Sequence, residues 1–191
     1  MSFLIAGSAR AGDKFDLLKQ QLAEAACTRF EFLSIIESDI FDRVDSTEGV
    51  AIIANDGRYF ISVGNDEYIY DAIYLYSYSR LNNQVTVEKV LDHQGEELFF
   101  ITRLDKYFKT AVLDKNREYS LVRLNDRLDN IPDSMRVIID PDVPALKEIS
   151  YLDINEEQNR LVFYGQDIKP TCDGKIFQPE FPDTVETIKL Y

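Results

Sequence analysis

Residues 49–90 read GVAIIANDGRYFISVGNDEYIYDAIYLYSYSRLNNQVTVEKV and decide the fold. Turn residues divide this stretch into short runs of β-branched and aromatic side chains, a composition typical of β-strands. Asn55-Asp-Gly57 is the clearest turn, because an Asp-Gly pair readily adopts positive φ. The predicted strands of this antiparallel meander cover residues 50–54, 58–63, 67–70, 73–79 and 85–90.

Ahead of the meander, residues 15–27 predict a helix that Asp13 can cap. Its apolar side chains fall on one helical face and are Phe15, Leu18, Leu22 and Ala25. The period then changes to two, because Phe30 and Phe32 alternate with charged neighbours, and this pattern predicts a strand.

Behind the meander, residues 95–106 predict a second helix, with acidic residues near its start and Arg103 and Lys106 near its end. Strand patterns resume after residue 107 and continue to an apolar tail at 176–182. The chain thus predicts about ten or eleven strands with short antiparallel connections and two helices. This is an α+β layout in which a large sheet curls around the helices.

The length of 191 residues fits one domain, which we assign to residues 15–191. Residues 1–14 form a leader, in which Ala9-Arg10-Ala11 has the small-x-small pattern of a signal-peptidase site. This segment is interpreted either as the remnant of a secretory signal peptide or as a disordered leader.

The formal net charge of −13 argues against nucleic acid and anionic membrane surfaces as partners, since both repel an acidic protein. The acidic residues are spread through the loops. They indicate either a solubilising surface or a means of keeping a lipid-handling protein off the membrane.

The sequence shows no recognisable catalytic motif. The single histidine, His93, lies in a polar turn, and neither a nucleophile elbow nor a phosphate-binding loop occurs. Residues 153–157 carry carboxylates at alternate positions, but Gln158 stands where a calcium loop needs glycine. We therefore expect no enzyme activity, no cofactor and no metal.

Cys27 and Cys172 could form one disulfide in an oxidising compartment, although spacing alone leaves this open.

The aromatic residues of the meander allow two interpretations. On a strand, Tyr74, Tyr76 and Tyr78 share one face, and Ile73 and Leu75 share the other. The tyrosines could lie on the outer face of an ordinary core. Alternatively, tyrosines of the meander could form the wall of a wide pocket, where a ring contacts a lipid chain and the hydroxyl reaches water.

The order of these elements resembles the LolA family, periplasmic carriers of outer-membrane lipoproteins. The resemblance rests on the helix and strand at residues 17–32, on the strands at 49–53 and 58–63, and on Asp71-Ala-Ile-Tyr-Leu-Tyr76. It continues in Asn83-Gln-Val-Thr-Val87, in the second helix and in Phe177-Gln-Pro-Glu-Phe181-Pro182. Tyrosines stand here where that family has Trp-rich strands.

The resemblance implies an incomplete antiparallel β-barrel with two helices as a lid over a hydrophobic cavity. Arg58 would act as a latch that donates hydrogen bonds to lid carbonyls in the closed form. The implied lid residues are Leu18, Leu22, Leu98, Ile101 and Leu104. The implied cavity wall consists of Phe30, Phe32, Ile52, Tyr59, Ile61, Tyr68, Tyr70, Ile73 and Leu75.

The resemblance also implies a function, a location and partners. The expected function is a monomeric periplasmic carrier that binds lipoprotein acyl chains, or another lipid, for transfer toward the outer membrane. An inner-membrane exporter and an outer-membrane acceptor would be its partners. The alternative is a periplasmic receptor or sensing module for a lipid or protein signal on the same fold.

Overall fold

The computed structural model describes residues 14–38, 42–90, 101–114, 117–125, 131–153 and 155–191. The first half of the chain contains helix α1 (Lys14–Glu24) and strands β1 (Cys27–Ser38), β2 (Arg43–Ala54), β3 (Tyr59–Val63), β4 (Asp66–Tyr70), β5 (Tyr74–Ser79) and β6 (Gln84–Lys89). The second half contains helix α2 (Leu104–Tyr107) and strands β7 (Phe108–Asp114), β8 (Glu118–Arg123), β9 (Ser134–Ile139), β10 (Leu146–Leu152), β11 (Gln158–Lys169) and β12 (Glu186–Lys189).

The twelve strands of the described residues belong to one sheet with the order β12-β6-β5-β4-β3-β2-β1-β11-β10-β9-β8-β7. Neighbouring strands are antiparallel except for β12, which pairs in parallel with β6. The sheet curves without closing, and β12 and β7 are its edges. The strand register shifts at three places: opposite Glu31–Phe32 of β1, within β10 and within β7. Such shifts are β-bulges, which bend a sheet and increase its twist. The predicted incomplete antiparallel barrel with two helices is confirmed.

Some predicted boundaries were wrong. Helix α1 ends at Glu24 instead of residue 27, because Cys27 already pairs with Ala54 in the β1–β2 ladder. Within the described residues, the second helix is reduced to a 3₁₀ turn at 101–102 and the four residues of α2. Residues 95–100 of that predicted helix, His93 and residues 1–13 of the predicted leader lie outside the described residues.

The strand register defines two faces of the sheet. Residues that stand opposite each other in a ladder point to the same side. Phe30 faces Ala51, which faces Ile61, and this side contacts the helices. We call it the concave face. The opposite side, which carries Cys27, Ile52 and Phe60, is called the outer face.

The core lies between the concave face and the helices. Phe15, Leu18 and Leu22 of α1 are buried in one cluster with side chains from the sheet, and the Phe15 ring stacks on Tyr119 with centroids 4.2 Å apart. This cluster is the main hydrophobic core of the described chain.

Gly49 provides a test of the strand register that places it opposite Phe32 on the concave face. A Cβ added there would lie 2.6 Å from Cζ of Phe32 and 3.1 Å from the backbone oxygen of Ser62. Since Phe32 is buried and cannot move freely, Gly49→Ala is expected to lower the free energy of unfolding by about 1–3 kcal/mol, as overpacking does. Urea denaturation measures the change. Glu48→Ala, at the exposed neighbouring position, is the matched control, and equal stability of the two variants would contradict the register.

Candidate functional site

The lid is the pair of helices α1 and α2 together with residues 101–103 before α2. Leu18, Leu22 and Leu104 are buried at 0%, 3% and 3% exposure, and Ile101 is half-buried against the same core. Leu98, the fifth predicted lid residue, lies outside the described residues. The structure therefore brings four of the expected lid residues together under the helices.

Most of the predicted wall residues lie on the concave face. Phe30, Phe32 and Tyr59 are buried in the core cluster, and Ile61, Tyr70 and Leu75 pack half-buried against it. Tyr68 points to the same side, because it stands opposite Ile61, and it is 38% exposed. We call this partly exposed group the rim, and its members are Ile61, Val63, Tyr68, Tyr70 and Leu75.

Two predicted wall residues lie elsewhere. Ile52 points to the outer face, since it lies between Ala51 and Ile53, whose side chains take the concave side. Ile73 precedes β5 and is 54% exposed. It belongs to the turn in which the Asp71 carboxylate accepts hydrogen bonds from the backbone N–H groups of Ile73 and Tyr74, both at 2.8 Å. Ile52 therefore cannot line the concave face, and Ile73 lies in an exposed turn outside the strand.

Arg58 does not take the position expected of a lid latch. Its guanidinium donates to the Asp56 carboxylate at 3.0 and 2.7 Å and lies 4.9 Å from the centroid of the Phe177 ring, on the outer face. The hydrogen bonds from Arg58 also hold the pKa of Asp56 below its usual range. The Arg58 side chain is therefore engaged away from the described lid residues.

A polar contact between lid and sheet is made instead by Arg103. Its guanidinium donates to the carbonyl oxygen of Asn55 at 2.6 Å, which links the segment before α2 to the β2–β3 turn. The Asn55 backbone N–H donates in turn to the Ala26 carbonyl at 3.1 Å. The sequence showed Arg103 only as a basic residue near a helix end. Its partner, 48 residues away, could not be inferred from spacing.

Lys19 joins the two helices of the lid. Its ammonium lies 2.7 Å from the Asp105 carboxylate and 3.0 Å from that of Asp16. Burial opposes the charge on Lys19, but the hydrogen bonds and attraction of Asp105 and Asp16 outweigh it and raise the pKa of the amine. The ammonium therefore stays charged and ties α1 to α2.

The outer face has a separate cover, formed by residues 170–185 between β11 and β12, which we call the strap. Cys172 is disulfide-bonded to Cys27 of β1, with Cα atoms 5.0 Å apart. Phe177 is 1% exposed beside β3, and the Phe181 ring lies 5.1 Å from that of Tyr78 on β5. The strap then joins the sheet as β12 beside β6. Sequence reasoning noted the apolar tail but not that it crosses the outer face.

The described residues contain no group of three His, Cys, Asp or Glu side chains that could hold a metal ion. None of the described helices is long and apolar enough to cross a membrane. The candidate site is the concave face with its lid, and it offers apolar contact with a rim that includes Tyr68 and Tyr70.

Comparisons with known proteins support the fold. No family profile and no curated protein sequence matches the chain. An uncharacterized conserved protein from Thermus thermophilus is similar in structure, with a TM-score of 0.54 and 8% identity over 91% of this chain and 98% of the other. At that identity the likeness is one of fold.

Two further solved structures have lower similarity. A LolA superfamily protein from Nitrosomonas europaea has a TM-score of 0.45 and 5% identity over 86% of this chain and 97% of the other. An outer membrane lipoprotein-sorting protein domain from Vibrio parahaemolyticus has a TM-score of 0.44 and 8% identity over 86% and 95%.

The disulfide is expected to stabilise the strap on the outer face. Because it closes a sequence separation of 145 residues, the Cys27→Ala/Cys172→Ala variant should lose about 2–4 kcal/mol of unfolding free energy. Urea denaturation with and without dithiothreitol measures this loss. Reductant should lower the midpoint of the parent protein and leave the double variant unchanged. A parent protein that is insensitive to reductant and as stable as the variant would show that the bond does not hold the strap.

Proposed function

We propose that the chain is a periplasmic carrier that binds acyl chains of lipoproteins, or another lipidated ligand, between the lid and the concave face. Transfer would run toward the outer membrane, from an inner-membrane exporter to an outer-membrane acceptor. The proposal rests chiefly on one observation. Buried lid side chains and wall side chains form one continuous apolar cluster, and its edge at β3–β5 is only half-covered.

The rim suits an acyl chain. Ile61, Val63 and Leu75 offer aliphatic surface, and the Tyr70 ring lies 5.6 Å from that of Tyr59. Tyrosine rings contact hydrocarbon while their hydroxyls can remain near water. Each methylene moved from water to this surface contributes about 0.8 kcal/mol, so a long chain gains much from a rim of this kind.

In this arrangement the lid is closed over the concave face. Leu18 and Leu22 occupy the space over the concave face that a ligand would take. Binding therefore requires the lid to move, and the ligand shifts the population from the closed to an open state. The proposed action is binding and transfer, with no catalytic step.

Acyl binding can be detected with a tryptophan at the rim, because the chain has no Trp of its own. In Tyr68→Trp, saturable quenching of the indole fluorescence is expected on titration with 9,10-dibromostearate, since bromine quenches at close contact. Tyr164→Trp, at a 59% exposed position on β11, is the matched control and should be quenched only by the free ligand in solution. Equal quenching in the two variants would place the acyl chain elsewhere and refute the proposed site.

Arg103 should control the closed state of the lid. Arg103→Met removes the hydrogen bond to the Asn55 carbonyl and should tighten the apparent binding of stearate by about 3- to 10-fold, because less free energy is needed to open the lid. The affinity is read by the same quenching titration in the Tyr68→Trp background. Arg58→Met, which alters only outer-face contacts, is the control. If Arg58→Met tightened binding and Arg103→Met did not, Arg58 would be the latch after all.

A further inference from the structure

A pocket lies on the outer face, on the other side of the sheet from the lid. It has a volume of about 290 Å³ and is bounded by β5, β6, the strap and β12. The register fixes its side of the sheet. Tyr76 stands opposite Val87, and Val87 stands opposite Lys189, so all three point outward. A ligand here would not touch the concave face.

Aromatic rings form the walls of this pocket. The Tyr191 ring lies 5.1 Å from that of Tyr74, and the Tyr74 and Tyr76 rings are 6.3 Å apart, edge to face. On the strap side, the Phe181 ring lies 6.2 Å from Tyr76. Val85 and Val87 are also part of the lining and are buried at 1% and 6% exposure. Rings at these separations contact one another, and the ring surface that remains exposed in the pocket can contact a flat ring of a ligand.

The size limits the ligand. Binding sites for small molecules usually measure roughly 300–1,000 Å³, so this pocket is at the lower end of that range. The pocket suits a ligand with a single aromatic ring or with two fused rings.

The charges around the pocket favour an anion. Lys189 lines it, with its ammonium 5.8 Å from the Tyr191 ring centroid, and exposed Lys89 stands opposite Tyr74 on the same face. The protein is acidic as a whole, but at physiological salt charges act over about 8 Å, so distant acidic residues have little effect on a ligand beside Lys189.

Two acidic side chains on β12 and before β5 have other partners. Asp71 accepts hydrogen bonds from the backbone N–H groups of Ile73 and Tyr74 and from the Tyr76 hydroxyl. Burial, reinforced by Asp71, raises the pKa of Tyr76 to about 12, so the phenol stays neutral. Glu186 accepts from Gln84 on the opposite face of β12. Asp71 and Glu186 are therefore already engaged, whereas Lys189 lines the pocket.

We propose that this outer pocket binds a small aromatic carboxylate, with its ring against Tyr76, Phe181 and Tyr191 and its carboxylate beside Lys189. The site is independent of acyl binding on the concave face. An aliphatic ligand would gain no ring stacking, and a neutral aromatic ligand would gain no attraction to Lys189.

The test uses 2-naphthoate as the probe and two-dimensional ¹H–¹⁵N NMR of the full chain. Saturable shifts are expected at Val85, Val87 and Thr187, and not at Phe30 or Tyr59. Lys189→Met should weaken binding by about 2- to 5-fold, the usual effect of one exposed ion pair, and 2-naphthamide should bind more weakly than 2-naphthoate by a similar factor. Lys109→Met, at an exposed lysine on the far edge strand β7, is the matched control and should leave the affinity unchanged.

A blocking variant separates this site from the concave one. Thr187→Trp fills the pocket from an exposed position on β12, so it should abolish the naphthoate shifts while the protein keeps its unfolding midpoint and its stearate affinity. Any of three results would overturn the proposal. They are undiminished naphthoate binding in Thr187→Trp, chemical shift changes centred on Phe30, and an equal loss of naphthoate affinity in Lys109→Met and Lys189→Met.

Discussion

The alternation of side chains across a fixed strand register is the constraint on which the rest of this structure depends. One row runs Phe30, Ala51, Ile61, Tyr68, Ser77 and Thr86 from β1 to β6 on the concave face. The neighbouring row runs Ile52, Phe60, Ile69, Tyr76 and Val87 on the outer face. A slip of one residue would exchange the rows, and the apolar end of the concave row would lose its contact with α1. Both faces are apolar over most of β2–β4, so both need a cover.

The two covers are attached in different ways. The strap is bound to β1 by a disulfide, and β12, which follows it, forms a parallel ladder with β6, so both ends of the strap are held to the sheet. Helix α1 lies on the concave face mainly through the side chains of Phe15, Leu18 and Leu22. The lid adds side-chain contacts such as Lys19–Asp105 and Arg103–Asn55. Of the two covers, the lid is therefore the one that can move while the sheet stays intact.

The sequence predicted those features that local chemistry determines. Asp-Gly at 56–57 turns the chain, with φ of +99° at Gly57, and the alternation of tyrosines placed Tyr74, Tyr76 and Tyr78 together on one face. Local pattern failed where both faces are buried. Residues 50–53 are apolar without interruption, so nothing in them showed that Ile52 points away from the lid.

The positions of Arg58, Arg103 and the strap depend on contacts between residues far apart in the chain. Arg58 adjoins Tyr59, a concave residue, and only the register shows that Arg58 itself points outward to Phe177. Arg103 reaches a carbonyl 48 residues away, and the strap is positioned by Cys27, 145 residues before Cys172. No short-range pattern carries that information.

The energetics of the proposed exchange follow from the size of the lid. Exposing Phe15, Leu18 and Leu22 would cost about 5–9 kcal/mol, at about 1.5–3 kcal/mol for each side chain. An acyl chain of ten methylenes returns about 8 kcal/mol on burial, which is the same order. One chain therefore nearly balances the opening of the lid and can be released again. Three chains would exceed the cost by far, and a lipoprotein with that many would leave only if its acceptor bound the chains more tightly than the open sheet does.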